Sequence, residues 1–438
     1  MKNIIPTVIA LFITLPVLAV DRLVPAQYPT IQQAIDAASD GDVVLVSAGT
    51  YQPIDYHGKG ISVQSTSGRN FTTIDGSGLG LSTVNFGTGS TLRSRLAGFS
   101  VKAGMGSGAS YYARGGGLYC PAGSATVEDC DVVGATGGTG YGGGLHMTGP
   151  ALVIRRCRFV NNWAYHDGGG VSVSIQASDS SESIDGSVAT RCIIEDCEFK
   201  NCYAYNVGGM AISLQDSSTK DHLIVVRGCL FTGNIGEYGG SSLFASDARI
   251  GGAADNLPTH HFTIDRCVFD SQTLALTEGQ YFDGGYALNL RITDCLVTRG
   301  WVRRAVGIME LGGSWLCQGV GVSGGYMDIG GNSTACVTDA DCNSNSLTDA
   351  FDCILGTAAD TNRDLVPDTC QCGTIPSLPG CCLGDLNHDA EVGGADIGLL
   401  LSNWGPCASA CLYDLNNDSK VNGGDLGLLL SGWGPCPN

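Results

Sequence analysis

The chain has 438 residues, 23 of them Lys or Arg and 42 Asp or Glu, for a net charge of −19. So acidic a surface excludes the phosphate-backbone contacts that need a basic face, and no nucleic acid partner is expected. With 43% hydrophobic and 15% charged residues, wholesale disorder is excluded; the 65 glycines follow no Gly-X-Y period, which excludes collagen and points to tight turns or closely stacked backbone.

Met1 and Lys2 precede an apolar run from Ile4 to Leu18, and Val17-Leu18-Ala19 is a small-residue exit. This predicts a secretory signal peptide over residues 1–20, cleaved near Ala19 or Val20. An N-terminal membrane anchor is the other reading, but the run falls short of the roughly 20 residues that a bilayer crossing takes. The mature chain is expected to carry no membrane span and to be secreted, extracellular or associated with a cell surface. Export permits disulfides. The 20 cysteines divide evenly, ten up to Cys317 and ten from Cys336 onward, with connectivity open.

Residues 29–38 hold the strongest helix start. Thr30 and Gln33 form a capping box, and Ile31, Ala34, Ile35 and Ala38 make one apolar face. Gly41-Asp42 then turns into the strand Val43-Val44-Leu45-Val46.

A repeat follows. Six segments read aliphatic-x-x-Cys-x-apolar, centred on Cys130, Cys157, Cys197, Cys229, Cys267 and Cys295 at spacings of 27, 40, 32, 38 and 28. Between them lie Gly-Gly-Gly-aliphatic units at Gly115 to Leu118, Gly142 to Leu145 and Gly168 to Val171, loosening to Gly208-Gly209-Met210. Short β-branched runs that recur this way cannot bury a face alone and must stack. The consistent solution over residues 21–330 is all-β: a right-handed parallel β-helix with an N-terminal capping helix. The cysteines then form an interior column of small soft side chains. Buried thiols fit better than bridges there, because similarly directed side chains on parallel neighbours make poor disulfides. Asn162 and Asn234 fit a turn ladder, with Cys202 at the matching place.

The segment YPTIQQAIDAASDGDVVLVSAGTY, with the later Gly-Gly-Gly and Cys-x-Phe units, resembles pectin-lyase-like β-helix proteins over about residues 22–330. The resemblance implies the fold and an association with polysaccharide. The fold also hosts lyases, hydrolases, esterases, adhesins and inert scaffolds. The sequence has no paired Asp-Asp with a Gly-His-Gly block, as in β-helix galacturonan hydrolases.

Two places offer chemistry on the coil. The residues two before each cysteine, Glu128, Arg155, Glu195, Arg227, Asp265 and Thr293, alternate in sign, as do Asp129, Arg156 and Asp196 one before it. They read either as a stabilising charge ladder or as an acidic–basic cleft with Arg155, Arg156 and Glu195 as catalytic candidates. In the loops, Trp163, Tyr165, Tyr203, Tyr205 and Tyr238 either stack on sugar faces or cover the coil edge, and His166 beside Asp167 is a candidate acid–base pair. His260-His261 has no metal spacing.

From Cys336 onward there are 14 acidic residues against two basic ones. Asp385, Asn387, Asp389 and Asp396 recur at an offset of 29 as Asp414, Asn416, Asp418 and Asp425. Each set matches a 12-residue Ca2+ loop with oxygens at positions one, three, five and twelve and a backbone carbonyl at seven from Glu391 or Lys420. Asn422 fills position nine of the second loop. Ala390 and Ser419 stand at position six, normally Gly, which strains the turn. Leu399-Leu400-Leu401 and Leu428-Leu429-Leu430 then predict two short helices that pack on each other. This EF-hand-like unit over residues 383–438 resembles a type I dockerin, which implies docking to a cohesin-like partner. Gly394-Ala395 and Gly423-Gly424 at the partner-selecting places leave cell-surface attachment as the other reading.

Upstream, Asp341, Asn343, Asn345 and Asp349 recur as Asp360, Asn362, Asp364 and Asp368. With Cys342, Cys353 and Cys370 nearby, residues 336–372 resemble thrombospondin type 3 calcium repeats, which implies a linker stiffened by metal. Two functions stay open. One is a secreted calcium-binding protein that binds extracellular polysaccharide, with cleavage as a lyase or glycoside hydrolase undecided. The other is a non-catalytic adhesion or structural surface protein.

Overall fold

The computed structural model describes residues 19–106, 115–176, 188–214, 221–237, 242–247, 261–270, 276–278, 288–298, 301–303, 307–317, 320–323, 326–334, 341–342, 345, 347–361, 363, 365–371, 384–387, 391–406, 413–416 and 418–435. The signal-peptide segment before residue 19 lies outside them, as do Tyr238 and His260.

The expected right-handed parallel β-helix is what the chain forms. One sheet has 12 strands and two have 10, and the neighbours within each are successive coils. One coil runs Ser124–Glu128, Asp131–Val133 and Leu145–Gly149; the next runs Ala151–Arg155, Arg158–Val160 and Val171–Ile175. Register is constant, with Val127 opposite Ile154, Val132 opposite Phe159 and Leu145 opposite Val171. Like residues therefore stack on like residues. Phe159, Phe199, Phe231 and Phe269 form one interior pile with ring centroids 5.2, 4.7 and 5.0 Å apart, close to the ~4.8 Å between strands.

The six repeat cysteines are buried free thiols in one interior column. They do more than fill space. Each sulfur donates to the carbonyl two residues back, as Cys130 does to Glu128 at 3.1 Å and Cys295 to Thr293 at 3.2 Å. The backbone N–H groups of Cys130 and Cys267 each donate to the sulfur of the next coil at 3.5 Å. Ser314 continues the column: its Oγ accepts from Cys295 N–H at 3.2 Å and donates to Gly312 O at 3.1 Å. The thiol is a polar staple at a corner where the ladder is interrupted. The corner itself is left-handed, with φ of 53° at Asp129, 52° at Arg156, 54° at Asp196 and 59° at Gly228. The ladder Asn162–Cys202–Asn234 staples the next corner: Asn162 Oδ1 accepts from Ala135 N–H, and Asn234 Oδ1 from Cys202 N–H, both at 2.9 Å. Cys317 departs from the free-thiol pattern and is disulfide-bonded.

The glycine units let backbone lie on backbone. A Cβ on Gly143 would come within 2.4 Å of Trp163 O and 2.5 Å of Gly169 O.

The two ends of the coil are closed differently. Helix α1 (Ile31–Ala37) covers the first end, burying Ile31, Ala34 and Ile35; Thr30 Oγ1 accepts from Gln33 N–H at 3.2 Å. Lys59 Nζ donates to the carbonyls of Ile35, Asp36 and Ala38 at its C-terminal end at 2.8–2.9 Å. At the other end, Met327–Gly330 is exposed throughout, and its pairing shifts register after Asp328, which stands opposite Leu311. A bulge and an exposed charge on the last strand discourage further strand addition.

Residues beyond the coil pack against its flank. Helix α2 (Asp349–Leu355) and Leu365 bury Ala350, Phe351 and Ile354 against Leu230, Val268, Leu296 and Trp315. The acidic region after residue 336 is thus part docked element, where a stiff spacer is expected from sequence. Helices α3 (Gly394–Ser402) and α4 (Gly423–Ser431) pack around Val392, Leu400, Leu415, Val421 and Leu429, as expected. Two crossed pairings tie the halves: Glu391–Val392 with Gly434–Pro435, and Lys420–Val421 with Gly405–Pro406. Among the described residues, no helix is long and apolar enough to cross a membrane.

Candidate functional site

The richest surface lies on one edge of the coil. Tyr119 and His146 occupy the same register position on adjacent coils, Tyr119 half-buried and His146 buried beneath its neighbours. The Tyr141 ring sits between two imidazoles, 5.9 Å from His146 and 5.1 Å from His166, and Tyr119 stacks on His146 at 6.2 Å. Tyr165 meets His166 edge-on at 5.0 Å and stacks on Tyr205 of the next coil at 5.7 Å with 9° between planes. Trp163 and Tyr203 stand opposite each other in a separate three-stranded strip, and Tyr203 Oη donates to Glu237 Oε2 at 2.9 Å.

Asp167 is the carboxyl of this cluster. Burial pushes its pKa up, against a side-chain hydrogen bond from Asn206 and the charge of His166. The sequence-adjacent pair is therefore held on one surface, a half-buried carboxyl of raised pKa beside an imidazole. Tyr165 and Tyr205 stack face to face and remain 45% and 37% exposed. Sequence reading missed His146, Tyr119 and Tyr141. The signal was the residue just after each Gly-Gly-Gly-aliphatic unit, where Tyr119, His146 and Ser172 share a column.

The alternating charges form a ladder. Arg95 pairs with Glu128 at 2.8 Å, Glu128 with Arg155 at 3.6 Å, Arg155 with Glu195 at 2.9 Å, Glu195 with Arg227 at 3.7 Å and Arg227 with Asp265 at 3.1 Å. Arg156 joins Asp129 at 2.8 Å and holds its carboxyl below the usual range. Arg155, Arg156 and Glu195 therefore lie within ion pairs away from the His166–Asp167 edge.

The acidic loops share one geometry. In all four, the N–H of the second residue donates to a buried closing carboxylate: Cys342 to Asp349 at 2.9 Å, Thr361 to Asp368 at 2.9 Å, Leu386 to Asp396 at 2.8 Å and Leu415 to Asp425 at 2.8 Å. The sixth-position N–H groups fold back on the first carboxylate, Leu365 to Asp360 at 3.0 Å and Ser419 to Asp414 at 2.7 Å. Both residues are left-handed at φ 67°, the strain expected where Gly is usual. Asn345 N–H donates to Asp341 at 3.2 Å, Asp418 N–H to Asn416 Oδ1 at 3.0 Å, and Asn422 Nδ2 to Asp418 at 3.1 Å. Glu391 and Lys420 open the short crossed strands at position seven. Asn343, Asn362, Asp364 and Asp389 lie outside the described residues.

Burial alone would raise the Asp396 carboxyl, but N–H groups of Gly393, Leu386 and Asn387 hold it below the usual range. Buried, oxygen-only donors on a tight turn fit a hard divalent cation. One donor was missed in sequence: Asp352, twelfth from Asp341, is fully buried with Asn345 Nδ2 on its two oxygens at 3.0 and 2.9 Å. A count of twelve, as applied to the last two loops, finds it. A Cys342–Cys370 disulfide brackets the upstream pair of loops.

No family model matches the chain, and no curated protein matches it. Among solved structures, the chain is similar to a pectin methylesterase variant in complex with a hexasaccharide, at 13% identity and a TM-score of 0.27, covering 78% of this chain and 98% of that one. The fold rests on the sheets described above.

Proposed function

We propose that this chain is a secreted protein that binds extracellular polysaccharide along the Tyr119–Tyr141–His166–Tyr165–Tyr205 edge, and that calcium-loaded modules beyond the coil attach it to a surface or a complex. The observation that carries the reading is the cluster itself: six rings, His146 buried among them, and a carboxyl of raised pKa are gathered on one edge from successive coils. Phenol and imidazole groups hydrogen-bond sugar hydroxyls, and ring faces pack on sugar C–H groups.

Asp167 and His166 are the groups this edge offers for proton transfer. Hydrolysis of a glycosidic bond usually takes two carboxylates roughly 5–10 Å apart. Tyr203 engages Glu237, and Arg155 and Arg227 engage Glu195, which favours binding over cleavage. The calcium loops would be held by Asp341, Asn345, Asp349 and Asp352; Asp360 and Asp368; Asp385, Asn387 and Asp396; and Asp414, Asn416, Asp418 and Asp425. Bound calcium supplies charge neutralisation and rigidity. A cohesin-like protein or a cell-surface component is the partner proposed for the last module.

The test is retention of the full mature chain on a panel of immobilised neutral and acidic glycans, with ultraviolet detection of unsaturated products. Tyr165→Ala with Tyr205→Ala should lower retention at least about tenfold. Equal retention of wild type and variant, or none on any glycan, overturns this reading and leaves the adhesive scaffold.

A further inference from the structure

The second acidic loop reaches the coil with two of its own residues. Leu365 is 1% exposed and belongs to the apolar cluster of Leu230, Val268, Leu296 and Trp315. The Arg363 guanidinium donates to Asp294 at 2.5 Å and to Gly313 O at 3.0 Å, and lies 5.2 Å over the Trp315 ring. Both residues have left-handed backbone, φ 59° at Arg363 and 67° at Leu365. Such a conformation persists only when its surroundings enforce it.

The enforcing contacts come from the carboxylates of the loop. Asp360 accepts from Leu365 N–H at 3.0 Å, and Asp368 accepts from Thr361 N–H at 2.9 Å and Thr361 Oγ1 at 2.7 Å. The groups that would hold the cation are thus the groups that aim Arg363 and Leu365 at the solenoid. Neither Arg363 nor the Leu365 side chain offers an oxygen, so their reach toward the coil is separate from ligation.

Building on the calcium reading above, we propose that the turn held by Asp360 and Asp368 is a cation-dependent clamp on the last coils. Occupancy fixes the loop and presses Leu365 and Arg363 onto Val268, Leu296 and Trp315. Removal sets the acidic side chains against one another, lets the left-handed pair relax and uncovers that flank. Among the described residues the early coils have no such contact: the equivalent outward positions there are Asp131, Arg158 and Glu198.

The test is amide hydrogen exchange on the full mature chain with calcium and after chelation, alongside calorimetric calcium titration. Chelation should speed exchange at Val268–Asp270, Leu296–Val297 and Trp315–Leu316 by on the order of tenfold, a usual size for coupling between sites. Exchange at Asp131–Val133 and Arg158–Val160 should not change. Arg363→Ala should keep the calcium heat and stoichiometry but lose most of the calcium-dependent protection at Trp315–Leu316. Calcium binding without any change in exchange overturns the clamp and leaves the calcium reading standing. Equal acceleration in every coil also overturns it, as does full protection in Arg363→Ala. Absence of calcium heat removes the calcium reading and the clamp together.

Discussion

The early and late coils share an interior and differ outside. From Cys130 to Cys197 the residue after the repeat cysteine is Asp131, Arg158 or Glu198; from Cys229 onward it is Leu230, Val268, Leu296 and, after Ser314, Trp315. All seven stand in one outward column of one sheet. The charged part faces water and forms cross-coil pairs, Arg158 with Glu198 at 2.8 Å among them. The apolar part is covered by α2 and Leu365. In a solenoid the inward columns report how the chain winds, and the outward columns report what each coil touches.

If this comparison is right, interior substitutions should cost the same in both regions. Phe159→Ala and Phe231→Ala each remove a ring from the continuous pile and should lose about 3–5 kcal/mol of stability in urea melts. Markedly different losses would mean that the two regions do not share one core. Outward substitutions should diverge. Val268→Asp puts a charge beneath α2 and should cost about 3 kcal/mol or more, whereas Glu198→Leu on the early coils should stay within about 1 kcal/mol. Equal effects would show that the flank is not covered.

The cysteine column sharpens the picture at the next level. Cys229→Val leaves the corner carbonyl of Arg227 without its donor at 3.2 Å and should cost about 1–3 kcal/mol. Cys229→Ser should be milder, since Ser314 already fills this place. Should Val be tolerated better than Ser, the column acts by volume alone. Smaller still, Arg155→Met should change stability by no more than about 1 kcal/mol and less in high salt, because its partners are part-exposed.

The smallest effect concerns Asp167. Its folded pKa is raised by burial, so its ionisation opposes folding. Stability is full below the ordinary carboxyl pKa and falls as pH rises through the folded value. Asp167→Asn should therefore melt slightly higher than wild type at neutral pH, with the gap closing toward about pH 4. A lower melt at neutral pH would show that the charged form supports the fold.

Much of this architecture was legible because a stacked coil writes its interior into the sequence at every turn. The cysteine and phenylalanine columns, the Asn162 and Asn234 staples and the α1 cap all follow from burial or corner hydrogen bonding repeated in register. The clustered edge was only half visible. His166 and Asp167 are neighbours in the chain, but Tyr119, Tyr141 and His146 join them through stacking of coils separated by loops of unequal length. The docking of α2 was missed because the change from Asp131, Arg158 and Glu198 to Leu230, Val268 and Leu296 falls at the variable position of the repeat. The turns of the acidic loops were readable from the spacing of their oxygen-bearing residues. Their contact with the coil depends on Arg363 and Leu365, which follow no ligand pattern.

The most direct measurement is a map of sulfur positions by anomalous scattering from crystals of the mature chain. The account predicts six peaks for Cys130, Cys157, Cys197, Cys229, Cys267 and Cys295 in one interior row, each about 4.8 Å from the next. Peaks that scatter, pair as disulfides or sit at the surface would contradict it.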